Sequence, residues 1–236
     1  MALLKLSRWS AVIEDSNHAI SLLAENMKAY YYLAQAQIAL HDSEFALDSA
    51  KKAHELCVKE VLIGGKGAGS LNVITELVLK CKKENWERKE KERLMARGGL
   101  LADLVGLLER ERDQKQEVVH GDTSQELIRE ISNEYAEKIE ELRHTFEAAN
   151  GAHDEGRRRK VPDWVVDDIT FSVMVDPVVT KTGQSYDRSS IMEHLRRSPT
   201  DPLTREPLRA EDLRPNLALR AACDEFLQEN GWAVDW

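Results

Sequence analysis

The feature that most constrains this chain is its last third, residues 161–236, where turn-forming residues are dense and a single cysteine occurs. Residues 176–180 predict an entry turn and a short strand, and Gly183 lies where a tight turn is needed. Residues 185–186 then predict the returning strand of a small hairpin. This segment must therefore fold as a small domain without a set of metal-binding cysteines.

Two helices complete that domain. Asp187 is a helix-capping residue type at the end of the predicted hairpin, and the residues after it have an apolar face. Asn216 is placed to cap a second helix, which the pair Asn230 and Gly231 ends. A stiff loop that contains Pro202 connects the two helices. The sequence thus predicts a compact ββα-type unit.

Composition limits the classes of function. The chain has 236 residues, 42% apolar content and a formal net charge of -9, with charges of both signs mixed along it. Such a surface argues against nucleic acid or an anionic membrane as the main partner. No apolar run is long enough for a membrane span and the start lacks a secretory signal, so we expect a location in the cytoplasm and also in the nucleus. Three widely spaced cysteines predict neither a disulfide framework nor a structural zinc site.

The N-terminal region, residues 1–69, contains an internal repeat. Val12 and Ala46 are 34 positions apart, as are Ala19 and Ala53. This period and the small residues resemble the tetratricopeptide repeat, and an ordinary helical hairpin is the alternative. About one and a half units are present, so we expect that the chain begins inside a repeat.

The middle of the chain predicts a long charged helical hairpin over residues 70–150, followed by a polar linker at 151–160. Four glycines between residues 64 and 69 predict a loop before it. Its two helices meet at residues 120–122 and carry an apolar stripe, which is typical of a coiled-coil-like dimerisation segment. The predicted fold class is mainly α, with partial helical repeats, this hairpin and a small α+β domain at residues 161–236.

The segments DPVVTKTGQSYDRSSIMEHL, DPLTREPL and LRPNLALR resemble the U-box, the zinc-free relative of the RING domain. The resemblance implies that hydrogen bonds and ion pairs hold the loops that zinc holds in RING domains, with no metal and no cofactor. We predict His194 to be a hydrogen-bonded domain residue instead of a zinc ligand. The candidate loop-holding residues are Asp176, Ser185, Asp187, Arg188, Thr204, Arg205 and Asn216.

With the repeats and the hairpin, the whole chain is similar to the CHIP-type family of dimeric co-chaperone ubiquitin ligases. The resemblance implies that a ubiquitin-conjugating enzyme docks on Ile169, Phe171 and Pro202, with Arg205 holding its ubiquitin thioester in a reactive pose. No covalent ubiquitin intermediate is then formed on this chain, and Cys223 is not a nucleophile. Simple core packing is the alternative role of the three apolar residues.

The family also implies partners at the other end. The repeat domain of such ligases binds the acidic C-terminal peptide of heat-shock chaperones, and Lys28, Tyr31, Tyr32 and Gln35 match part of that site. Because the other basic and amide positions have no counterpart, we expect weak or absent peptide binding. The expected acceptors of ubiquitin are misfolded client proteins held by the chaperone and destined for proteasomal degradation.

Two other functions remain open from the sequence. One is a non-enzymatic, chaperone-linked adaptor scaffold in which the U-box only docks partners. The other is a U-box protein of pre-messenger-RNA processing, which would resemble the C-terminal third alone. The repeat region speaks against the second alternative, and the intact docking residues favour the ligase.

Overall fold

The computed structural model describes residues 2–64, 68–118, 124–154 and 160–236, and it is mainly helical, as predicted. The chain divides into two compact units, Met1–Arg88 with Val161–Trp236, and Lys89–Lys160. Residues 65–67 of the predicted glycine loop and the predicted helix break at 120–122 lie outside the described residues. Among the helices that are described, none has the length and apolar content needed to cross a membrane.

Four helices form the N-terminal part of the first unit. They are α1 (Ala2–Lys5), α2 (Trp9–Leu22), α3 (Met27–Ala39) and α4 (Ser43–Leu62). The side chain of Asn26 caps α3 by accepting a hydrogen bond from the backbone N–H of Ala29. Helix α3 packs against both α2 and α4. Ala34, Ala46 and Ala53 are fully buried there, because only small side chains allow helices to approach this closely.

Helix α5 (Ala68–Glu117) begins in the first unit. Its residues Leu71 and Ile74 are buried in one cluster with Ala53 and Cys57 of α4. The predicted hairpin boundary at residue 70 therefore differs from the division in the structure, where the second unit starts at Lys89. The physical reason is the apolar stripe at the start of α5, which is buried against the preceding helix.

The second unit contains the rest of α5 and helix α6 (Ser124–Asp154). The Gln116 side chain of α5 donates a hydrogen bond to the Ser132 hydroxyl of α6 at 2.8 Å. Two long helices are thus present where the sequence predicts them. Helix α6 reaches Asp154, so residues 151–154 of the predicted linker are helical, and residues 155–159 lie outside the described part.

The C-terminal domain contains a three-stranded antiparallel sheet in the order β2-β1-β3. The strands are β1 (Pro177–Val179), β2 (Ser185–Asp187) and β3 (Arg214–Pro215), and the helices are α7 (Arg188–Arg197) and α8 (Leu217–Glu229). Three short 3-10 helices lie at Asp163–Val165, Ala210–Asp212 and Gly231–Asp235. The hairpin and the caps Asp187 and Asn216 are as predicted, and the two-residue strand β3 is additional.

The C-terminal domain and the N-terminal helices share one apolar core. Buried residues of α3, α4 and α5 form a single cluster with residues that include Val165, Cys223 and Leu227. The Trp86 indole N–H of α5 donates to the carbonyl oxygen of Glu229 at 3.1 Å. Gly231 touches the same indole so closely that an added Cβ would lie 2.4 Å from the Trp86 Cβ. This close approach requires glycine at position 231.

Candidate functional site

The first part of the site is loop 1, residues 167–172. The Asp167 N–H donates to the Ser172 carbonyl at 2.9 Å, and the Phe171 N–H donates to the Asp167 carbonyl at 2.8 Å. One Asp167 carboxylate oxygen also accepts from the backbone N–H and the hydroxyl of Thr170, at 2.9 and 2.8 Å. An aspartate that binds the backbone two or three residues ahead stabilises a tight turn. Hydrogen bonds within loop 1 therefore hold it as a tight turn.

Loop 2, residues 201–206, has the same construction. The Asp201 N–H donates to the Glu206 carbonyl at 2.8 Å, and the Arg205 N–H donates to the Asp201 carbonyl at 2.9 Å. The Asp201 carboxylate accepts from the N–H groups of Leu203 and Thr204, at 2.9 and 3.2 Å. A single β-bridge also closes the base of each loop, Val166 to Val173 and Thr200 to Pro207. The two loops are thus structurally equivalent.

Buried carboxylates attach both loops to the hairpin and to α7. Asp167 has no exposed surface and accepts from the Asp187 N–H at 2.8 Å and from the Ser190 hydroxyl at 3.0 Å. Asp201 is 1% exposed and accepts from the Tyr186 hydroxyl at 2.9 Å and from the Thr182 hydroxyl at 3.2 Å. These hydrogen bonds fix the positions of both loops.

The hydrogen bonds to Asp201 determine the direction in which its pKa and that of Tyr186 are shifted. Burial by itself raises the pKa of Asp201, but the hydrogen bonds from two backbone N–H groups, Tyr186 and Thr182 outweigh it and leave the pKa below its ordinary value. Burial, together with the hydrogen bond to Asp201, raises the pKa of Tyr186. Asp201 therefore stays ionised and Tyr186 stays a hydrogen-bond donor at neutral pH.

Sequence reasoning found part of this polar network. Asp187 accepts from the N–H groups of Val175 and Asp176, and the Arg188 guanidinium pairs with the buried Asp176 carboxylate at 2.6 Å. The Asn216 amide donates to the Ser185 hydroxyl at 3.2 Å. Thr204 and Arg205 contribute backbone N–H groups. The residues that the sequence did not single out are Asp167, Asp201, Tyr186 and Ser190.

The loops expose a mixed apolar and cationic surface. Phe171 is 71% exposed, Arg205 is exposed and Pro202 is half-buried. Ile169 is half-buried and packs against the small core of Val178, Tyr186 and neighbouring residues, so its context is more core-like than the sequence indicated. The structure thus brings all four predicted docking residues onto the two equivalent loops.

Two of these residues have an unusual backbone. Phe171 and Arg205 have φ angles of 58° and 60°, in the left-handed region that favours glycine. They occupy the same position in their loops, four residues after the anchoring aspartate. Strained positions of this kind are concentrated at functional sites, where a side chain is needed in spite of the cost.

Comparison with known proteins agrees with this geometry. The model of the U-box domain family matches residues 161–232. The chain is 27% identical over 233 residues to the E3 ubiquitin-protein ligase CHIP of Arabidopsis thaliana, an alignment that covers 98% of this chain and 79% of the relative. Residues 161–232 are thus a U-box domain, and the chain is similar over nearly its whole length to a CHIP-type ubiquitin ligase.

Other relatives share only part of the chain. The ubiquitin conjugation factor E4 of Schizosaccharomyces pombe is 37% identical over 100 residues, which are 42% of this chain and 9% of that protein. The E4 ubiquitin-protein ligase UFD2 of Saccharomyces cerevisiae is 37% identical over 101 residues, which are 42% of this chain and 10% of that protein. Each of these alignments therefore covers about a tenth of the E4 protein.

Inside the U-box, the remaining candidate groups have structural contacts. A ring nitrogen of His194 lies 2.9 Å from the Thr200 carbonyl, beside loop 2. Cys223 is fully buried, and burial raises the pKa of its thiol to about 11. A thiol of this kind is a poor nucleophile at neutral pH. Among the described residues, no three His, Cys, Asp or Glu side chains are grouped so that they could hold a metal ion.

The predicted chaperone-peptide residues lie on α3 and separate into two pairs. Lys28 and Tyr32, one helical turn apart, line a cavity of about 260 Å³ with residues of α1 and α2. Tyr31 packs against the apolar core, and burial followed by repulsion from Tyr32 raises its pKa, while a bond with Gln35 opposes that rise. The structure therefore brings Lys28 and Tyr32 to one cavity and does not place Tyr31 there.

Proposed function

We propose that this U-box ubiquitin ligase docks a ubiquitin-conjugating enzyme on loops 1 and 2. The observation that carries the proposal is the pair of equivalent, aspartate-anchored loops that expose Phe171 and Arg205 at matching strained positions. Pro202 and Ile169 complete the apolar part of this surface. An apolar patch with a cation beside it fits a partner that offers an apolar side chain and a hydrogen-bond acceptor.

The proposed chemistry belongs to the docked enzyme, whose thioester carries the ubiquitin. A client amine attacks the thioester carbon, the bond to the conjugating enzyme's sulfur breaks, and an amide forms without an intermediate on this chain. The U-box contributes orientation, because holding a flexible conjugate in one reactive pose lowers the entropy cost of the attack. Arg205 supplies up to five N–H donors toward docked partner and ubiquitin oxygens.

A reconstituted reaction tests this role. It contains activating enzyme, conjugating enzyme, ubiquitin and ATP, and it compares the wild type with Pro202→Ala and Arg205→Ala. We expect each substitution to reduce chain formation roughly 10-fold or more, the usual effect of removing an interface anchor. Arg209→Ala is the matched control, since Arg209 is an exposed arginine outside loop 2 that pairs only weakly with Glu211 at 3.4 Å.

Two results would reject the ligase mechanism. One is a wild type that forms no ubiquitin chains with any conjugating enzyme, which would favour the non-enzymatic scaffold. The other is unchanged chain formation in both loop variants. A loss that is equal in Arg209→Ala would show that general surface charge, and not the loop, is responsible.

We further propose that the chain is a dimer that forms through its second unit. Helix α5 exposes Leu94, Leu100 and Leu107 there by 51 to 55%, and α6 exposes Leu127 by 46%. Apolar side chains repeated along exposed helices are typical of coiled-coil contacts. Light scattering on the purified chain should give twice the chain mass of 26.8 kDa, and a monomer at micromolar concentration would reject this proposal.

The last part of the proposal concerns chaperones, whose acidic C-terminal peptide we expect this chain to bind only weakly. Lys28 and Tyr32 line the cavity on α3, and no other basic residue lines it among the described side chains. A carboxylate-rich peptide needs several charge-assisted bonds, so one lysine supports only weak capture of a chaperone tail and its client. Low-micromolar binding of an acidic C-terminal peptide that Lys28→Ala abolishes would contradict this expectation of weakness.

A further inference from the structure

We infer that Ser198 is a phosphorylation site for a proline-directed protein kinase and that its phosphate weakens docking at loop 2. The part that concerns docking rests on the proposed function. The chain has six prolines, and Ser198 is the one serine or threonine that directly precedes a proline, Pro199. A serine followed by proline is the minimal pattern that such kinases require. The whole sequence therefore offers this kinase class a single acceptor.

The structure presents the Ser198 and Pro199 pair on an accessible segment. Ser198 ends α7 with φ and ψ angles of -139° and 114°, the extended backbone that a following proline favours. Arg197 and Pro199 on either side are exposed, and Ser198 is half-buried between them. Kinases bind their acceptor segment in an extended form, and the last turn of a helix opens readily. The segment around Ser198 can thus enter a kinase cleft while the domain stays folded.

ATP is the co-reactant of this transfer. The Ser198 Oγ attacks the γ-phosphorus of ATP, a bond forms between Oγ and phosphorus, and the bond from phosphorus to the bridging oxygen breaks, which releases ADP. The hydroxyl proton passes to the catalytic carboxylate of the kinase. Before the transfer, the Ser198 hydroxyl is hydrogen-bonded to the Thr200 hydroxyl at 2.8 Å. Afterwards the Thr200 hydroxyl can rotate and donate to a phosphate oxygen.

Two arginines beside Ser198 allow the fold to tolerate a phosphate there. The side chains of Arg196 and Arg197 are 56% and 79% exposed, and both pair with Glu193. A phosphate carries about 1.5 to 2 negative charges at neutral pH, and its charge-assisted bonds to arginine are stronger than neutral hydrogen bonds. Such bonds offset the unfavourable position of an anion at the C-terminus of α7. The domain should therefore stay folded after the modification.

The segment that contains Ser198 leads directly into loop 2. Thr200 forms the β-bridge with Pro207 that closes the base of the loop, and the Thr200 carbonyl contacts His194. Arg205 is the exposed cation of the proposed docking surface. A phosphate beside the loop base lowers the positive potential around Arg205 and repels acceptor groups of an approaching partner. Docking should therefore weaken, and salt should reduce the effect because its origin is electrostatic.

The first measurement is the transfer itself. The full chain is incubated with Mg²⁺ and ATP and with an active cyclin-dependent kinase or an active mitogen-activated protein kinase, and mass spectrometry identifies the modified residue. We expect one phosphate on Ser198 and none in Ser198→Ala. Transfer to Pro199→Ala, which keeps the hydroxyl, should be about 10-fold slower or more, because the kinase loses its contact with the proline ring. No transfer by either kinase, or transfer to other residues alone, would overturn the inference.

The second measurement is ubiquitin discharge from the loaded conjugating enzyme to free lysine. For the phosphorylated chain, the KM for the loaded enzyme should rise about 3- to 10-fold at low salt, and by less at high salt, while kcat changes by less than about 2-fold. Ser198→Glu should raise KM by a smaller factor, since it adds one charge. Ser198→Ala should leave KM within about 2-fold of wild type.

The matched control is Ser21→Glu, which adds the same charge at an exposed serine of α2. It should leave KM unchanged, and a rise equal to that of Ser198→Glu would mean that net charge alone is responsible, which would overturn the inference. If Pro202→Ala raises KM and phosphorylation of Ser198 does not, the regulatory inference fails and the proposed function stands. If neither change affects discharge, the proposed function fails as well.

One more outcome would overturn the inference. A lower melting temperature of the phosphorylated chain, together with equal losses in kcat and kcat/KM, would mean that the phosphate disrupts the fold of the domain and does not act on docking.

Discussion

The N-terminal helices and the U-box are stabilised by different kinds of buried contact. In α3 and α4 most of the fully buried residues are alanines, including Ala34, Ala46 and Ala50. In the U-box, Asp167 and Asp201 are just as buried and are surrounded by hydrogen-bond donors. Close backbone packing stabilises the first region, and a satisfied polar network defines the second.

The difference determines how each region responds to a mutation. The volume of an apolar side chain can be changed by one methylene group at a time, and the neighbouring side chains can partly repack around the change. A buried carboxylate that satisfies four donors cannot be partly replaced, because each abandoned donor remains desolvated. We therefore expect the U-box to be more sensitive to substitution than the N-terminal helices.

The largest expected effect is that of Asp201→Ala. It leaves the Tyr186 hydroxyl and the backbone N–H groups of Leu203 and Thr204 without their acceptor. We expect a loss of about 3 to 5 kcal/mol in the free energy of unfolding and loss of ligase activity. Denaturant unfolding, with hydrogen exchange of loop 2, measures both.

The control is Asp168→Ala, which removes an exposed carboxylate that accepts one bond from the Gln184 amide at 2.6 Å. Its cost should stay below about 1 kcal/mol, and an equal cost would contradict the role given to burial. The pH dependence of the free energy of unfolding provides a second test. Because the folded-state pKa of Asp201 lies below its ordinary value, its contribution to stability is full at neutral pH and is lost as pH falls through that lowered pKa.

An intermediate effect is expected on the other side of the comparison, from Ala53→Leu in α4. Ala53 is fully buried beside Cys57, Leu71 and Ile74, so three added carbons force the helices apart. Overpacking of this kind costs about 1 to 3 kcal/mol. Calorimetry measures the change in melting temperature, with the exposed Ala24→Leu as the control. A loss larger than that of Asp201→Ala would reverse the comparison.

These two regions also differ in what the sequence could predict. The buried alanines follow from the 34-residue spacing, and the caps Asp187 and Asn216 follow from local patterns. Asp167 could not be recognised, because Asp167 and Asp168 look alike in sequence and only one is buried. Its partners Asp187 and Ser190 are 20 and 23 residues away, so only the tertiary fold separates the two.

The site was predictable to the extent that the motif defined it. All four predicted docking residues lie on the two loops, but the half-buried state of Ile169 depends on a core that includes Leu208 and Leu213. The strand β3 was not predicted, since two residues with a proline carry no periodic signal. The start of α5 carries no local signal for the helix it packs against, so the predicted hairpin boundary at residue 70 differs from the division at Lys89.

The smallest effect on stability, and the most selective, is expected from Phe171→Gly in loop 1. Glycine takes a φ of 58° without the steric cost that other residues have, so the free energy of unfolding should rise by up to about 1 kcal/mol. Ligase activity should nevertheless fall, because the exposed ring is lost from the proposed docking surface. Calorimetry and the reconstituted reaction measure the two quantities.

Phe171→Ala separates the causes, because alanine removes the ring and keeps the left-handed strain. It should lose as much activity as Phe171→Gly without the gain in stability. If Phe171→Gly were no more stable than Phe171→Ala, the backbone at position 171 would not be strained in the folded chain. If both variants kept full activity, the exposed ring of Phe171 would have no role in docking. The positive φ angle at position 171 would then be a feature of the fold alone.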